Sequence, residues 1–154
     1  MKFLSPFLRG GALVAAALAL SACSSMSGMA PGSSSSTVAL SAQLDARQEV
    51  PPNGSPATGS LEASFSKTTS VLKWKVTYSG LSGPATAAHF HGPATMGQNA
   101  GVVLPFNSPQ SPIEGMATLT PGQIADLMAG KWYVNVHTAA NPGGEIRGQV
   151  MPRM

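Results

Sequence analysis

The sequence predicts an all-β domain, an antiparallel Greek-key sandwich or flattened barrel of about seven or eight strands, with one short helix near residues 121–129. Three observations carry that prediction. The chain of 154 residues, enough for one ordinary domain, holds 17 Gly and 13 Pro, a mixture that favours short strands and many turns. Apolar and polar residues alternate in successive short runs, the period of a strand with one face buried. A helix signal occurs once.

The elements follow in chain order. Val38, Leu40, Ala42 and Leu44 alternate with polar neighbours and form the first strand. "EVPPNGSPATG" then breaks regular structure with Pro and Gly. Leu61, Ala63 and Phe65 mark a second strand. Leu72, Trp74, Val76 and Tyr78 mark a third, with Lys73, Lys75 and Thr77 on its wet face. "GLSGP" turns the chain into a strand beginning "ATAAHFHG"; "GVVLPF" is a short apolar run, and "EGMATLT" reads as one more strand. Thr120 with Gln123 three residues on forms a capping box, with Pro121 at the first helical position. Ile124, Leu127 and Met128 then share one face, and Gly130 stops the helix. "KWYVNVHT" and "EIRGQV" alternate again across the turn-rich "AANPGG". Phe65, Trp74, Phe90, Trp132, Val134 and Val136 are the expected core.

The chemistry concentrates in three histidines. His89 and His91 lie one residue apart, and His137 lies in "KWYVNVHT". On a strand, His89 and His91 project from one face with Cα atoms about 6.5–7 Å apart, while Phe90 turns into the core. His137 shares its face with Tyr133 and Asn135. Each histidine alone reads first as a surface or edge residue bonded to a nearby backbone carbonyl. Three together suit copper or zinc, copper ahead of zinc, with room for water or substrate in a fourth position. Met96, five residues after His91, is a candidate soft ligand that would favour Cu(I). Glu145, Asn135 and Arg147 are candidates for orienting the histidines from behind. Glu145 reads first as an ion-pair or backbone acceptor with Arg147 or a loop, ahead of that orienting role. The sequence has no G-x-S-x-G elbow, P-loop or H-E-x-x-H, so no catalytic residue is assigned.

The N-terminus reads as an address. "MKFLSPFLRG" is basic, "GALVAAALAL" is apolar but short for a membrane span, and "LSAC" places the single cysteine, Cys23, after small residues. Residues 1–22 are expected to be a signal peptide. Residues 23–36 supply the lipid-bearing Cys23 and a Ser-rich flexible tether, and residues 37–151 the folded domain. "LSAC" resembles the bacterial lipobox, whose cysteine is lipidated and becomes the mature N-terminus. The partner this implies is a membrane, in the bacterial cell envelope. Ser24 is not acidic, which points to the outer membrane facing the periplasm. The domain then has no cysteine, which excludes disulfides and thiolate chemistry. The formal charge of +3 includes Lys2 and Arg9; without them seven basic residues face six acidic ones. That near-neutral balance argues against a nucleic-acid partner.

The segments "LDARQEVPP" (44–52), "ATG" (57–59), "LSGPATAAHFHGPA" (81–94) and "AGKWYVNVHTAANPGGEIRGQV" (129–150) resemble the CHRD domain. That module is named after chordin and is also found in bacterial exported proteins. The resemblance spans residues 38–150 and implies an all-β domain without implying an activity. A fainter resemblance concerns copper-zinc superoxide dismutases, Greek-key proteins with an H-x-H pair on one strand and a further copper-ligand histidine near the C-terminal end. His89, His91 and His137 match that order. The zinc-loop histidines, the aspartate and the disulfide have no counterpart here, so at most a copper-only site is implied. Three functions follow as alternatives. One is copper handling through the three histidines, with a metal-delivery or envelope protein as partner. Another is a metal-free structural or protein-interaction module of the envelope. The last is a copper-only, dismutase-like redox enzyme.

Overall fold

The computed structural model describes residues 36–153; the expected signal peptide, Cys23 and all but the end of the tether lie outside that range. Nine strands run β1 (Thr37–Asp45), β2 (Thr58–Ser66), β3 (Val71–Ser79), β4 (Ala85–His91), β5 (Val102–Pro105), β6 (Ile113–Thr118), β7 (Tyr133–Thr138), β8 (Ile146–Gln149) and β9 (Met151–Pro152). Helix α1 (Pro121–Met128) precedes β7. All pairings are antiparallel, in the order β5-β4-β7-β8-β1-β2-β3-β6, with the short β9 on β1.

This single sheet is curled into a half-barrel. β3 and β4 stand five places apart in strand order, yet Trp74 on β3 meets Phe90 on β4 edge-to-face at 5.4 Å and stacks on Phe106 at 5.3 Å. Those contacts require the sheet to bend until its ends face each other. The core fills the inside: Leu40, Leu44, Leu61, Phe65, Leu72, Val76, Phe90, Val134, Val136 and Ile146 are all buried. Trp132, just before β7, is also buried, as the alternation predicts.

Helix α1 forms as its signals dictate. Thr120 accepts from the Gln123 backbone N–H while the Gln123 side chain accepts from the Thr120 N–H. Leu127 is buried, and Ile124 and Met128 pack on the core. Gly130 takes φ +68° just past the helix, the left-handed conformation that ends it cheaply.

The faces of β7 fall as the alternation requires, but its outer face is not open to water. All six residues of β7 and all four of β8 are buried. Loops lie over the outside of β4, β7 and β8 and are tied to one another: Asn99 Nδ2 donates to Val50 O at 2.8 Å, and Asn53 Nδ2 to Glu145 O at 3.0 Å. A second, polar interior results.

Candidate metal centre

That polar interior is a grid of side chains from three neighbouring strands. Register places His89 opposite Asn135 and His91 opposite Tyr133, with His137 opposite Ala87. His137 therefore stands diagonal to His89, within reach across the pair. The ring centroids are 5.4 Å apart for His89–His91, 5.0 Å for His89–His137 and 6.3 Å for His91–His137. One nitrogen from each ring lies within 4.8 Å of the others. An ion bound at about 2.0–2.1 Å from each nitrogen needs N···N separations of roughly 3.3–4 Å, so a pair at the 4.8 Å limit closes by about 0.8–1.5 Å.

Backbone carbonyls decide which nitrogens are free. His91 Nδ1 donates to Ala100 O at 2.9 Å, and His137 Nδ1 donates to Pro142 O at 3.0 Å. Each proton is thus fixed on Nδ1 and each Nε2 is left as a lone pair, the tautomer a metal ligand uses. His91 Nε2 is buried with no hydrogen-bond partner. His137 Nε2 lies 3.2 Å from His89 Nδ1, which can donate to it, and 2.9 Å from Asn135 Oδ1. With the His137 proton committed at Nδ1, neither partner brings a proton to the Asn135 contact. A cation beside Nε2 relieves that contact, as does a turned amide with Nδ2 donating. Burial lowers the pKa of both His89 and His137, with the neighbouring imidazoles adding to the effect, while the Pro142 carbonyl opposes it at His137. Both are therefore held neutral, as ligation requires. His89 is half-buried and forms the side of the cluster nearest solvent.

The supporting candidates fall into different places. Asn135 touches His137 directly. Arg147 reaches the cluster through an intermediary: its guanidinium carbon sits 3.4 Å from the centre of the Tyr133 ring, which stacks on His91 at 4.8 Å with the planes 2° apart. Among the described residues, Glu145 hydrogen-bonds to no histidine and pairs with no Lys or Arg. Its carboxylate accepts from Ser55 Oγ, Ser82 N, Ser82 Oγ and Thr138 Oγ1 at 2.6–2.7 Å. Those bonds outweigh desolvation and hold its pKa at about 2, so it is an ionised pin joining three loops. Met96 is 71% exposed in the β4–β5 connection.

Two participants carried no role in the sequence reading. Tyr133 was placed on the histidine face by period two, but its stacking partner depends on β4–β7 register. Its hydroxyl meets Ala100, the residue whose carbonyl holds His91, accepting from Ala100 N at 3.2 Å. Glu49, after β1, is 4% exposed, and burial raises its pKa to about 7 against the opposing pull of Arg147. No periodic signal marks it. Gly144 makes room for it: its φ is +134°, and a Cβ there would collide with Glu49 Oε1.

An antiparallel β half-barrel with a loop-covered cluster of three histidines is the class that fold and site define. The CHRD domain family matches residues 40–150, and the chain belongs to that family. No curated protein and no solved structure matches it.

Proposed function

We propose that this CHRD domain binds copper through His89, His91 and His137 and serves in metal handling at the bacterial cell envelope, tethered by a lipid on Cys23. The observation that carries the reading is His91 Nε2, a buried lone pair without a partner on a ring whose other nitrogen is committed. A histidine serving only structure normally satisfies both nitrogens when buried, because an orphaned polar atom costs about 1–3 kcal/mol. The donor set favours copper: three neutral nitrogens suit it, and first-row affinities place Cu(II) above Zn(II). The anchor rests on "LSAC" and the apolar run before it. The reading assigns no catalytic residue.

Metal analysis of the purified chain after exposure to copper and removal of excess tests it. One equivalent retained by the wild type and none by His137→Ala supports the site. Equal retention by both proteins removes it.

A further inference from the structure

A buried cation stands behind the histidines. Arg147 is 2% exposed, and its guanidinium donates to neutral acceptors only, Asn99 Oδ1 at 3.0 Å and Gln98 O at 2.6 Å. Among the described residues no carboxylate lies within 4.0 Å of it. Asp45, its backbone partner on β1, spends its carboxylate on the N–H groups of Arg47 and Gln48. Glu49 is the acid that feels Arg147 most directly, and with a pKa of about 7 it cancels only part of the charge at neutral pH. β7 lies between β4 and β8, so Arg147 and His91 take opposite faces of the Tyr133 ring.

We infer that Arg147, acting through the Tyr133 ring, biases the histidine centre toward the singly charged cuprous ion over the cupric ion. This rests on the copper reading above. A fixed positive charge repels a doubly charged ion more than a singly charged one, and burial of Arg147, Tyr133 and His91 weakens the screening of that charge. The two spacings, 3.4 and 4.8 Å, put the guanidinium roughly 8 Å from His91. At an effective dielectric constant of about 20, and after partial compensation by Glu49, that charge is worth about tenfold in the ratio of the two affinities. Arg147 is thus a tuning residue that touches no metal.

Competition titrations of the whole chain with a cuprous-selective and a cupric-selective chelator read the two affinities separately. Arg147→Gln is expected to lower the Cu(I)/Cu(II) affinity ratio about tenfold, while Arg147→Lys, which keeps the charge, holds it within about threefold. A purely structural role for Arg147 would weaken both ions alike, and an unchanged ratio in Arg147→Gln overturns the inference. Should that variant fail to fold, Glu49→Gln decides. At pH 8, where Glu49 is mostly ionised, removing its charge leaves Arg147 unopposed and raises the ratio severalfold; an unchanged or lower ratio overturns the inference. A wild type that binds neither ion removes the copper reading itself, whereas binding of both with an insensitive ratio removes only the role of Arg147.

Discussion

Single atoms decide the chemistry of this domain. Two carbonyls, of Ala100 and Pro142, take the Nδ1 protons of His91 and His137 and leave each Nε2 as a lone pair. Two buried acids behave oppositely with pH. Glu145 has a pKa lowered from 4.5 to about 2, so the unfolded chain binds its proton first as pH falls. Its stabilising contribution is full above about pH 4.5 and is lost between there and pH 2. Glu145→Gln should therefore flatten the acid limb of the stability curve and cost about 1–3 kcal/mol at pH 7; denaturant midpoints across pH 2–7 check both. Glu49 has a pKa raised to about 7, so the folded chain holds its proton longer and stability is lost as pH rises from 4.5 through 7. Glu49→Gln, which mimics the protonated form, should remove that loss, seen as a Tm that no longer falls between pH 5 and 8.

At the level of elements, strand period was the readable quantity. The alternation identified both faces of β7: Val134 and Val136 line the apolar core, while Tyr133, Asn135 and His137 line the other side. The capping box at Thr120 and the stop at Gly130 bounded α1 to within a residue. Two-residue β9 and the turn of 3-10 helix at Ala46–Gln48 are too short to leave a period. Burial of the outer face was not readable either. It depends on contacts between loops distant in sequence, such as Asn99 with Val50, and no local pattern encodes them. Likewise the H-x-H pair was legible, but the pairing of His91 with Tyr133 required the β4–β7 register. Trp132→Ala should cost about 3–5 kcal/mol, because the indole is buried against Phe90 and its removal leaves a cavity. Equilibrium unfolding measures this, and a loss below about 1 kcal/mol would contradict the assigned packing.

Across the whole molecule, curling of one sheet creates two interiors with different work. The apolar inside, closed by Trp74 against Phe90 and Phe106, holds the fold. The polar layer outside β4, β7 and β8 holds the histidines, with a buried cation behind them. The hydrophobic core described is built from residues between Val38 and Val150. On the proposed lipid anchor at Cys23, Cys23→Ser should abolish partitioning into a detergent phase while leaving the thermal transition unchanged. The central claim is that three imidazoles share one ion, and copper titration of the wild type beside His89→Ala, His91→Ala and His137→Ala tests it most directly. Each substitution should lower affinity sharply, pairs should lose less than the sum of their single losses, and affinity should fall as protons compete at lower pH. Four indistinguishable isotherms, or weak losses that simply add, would contradict the account.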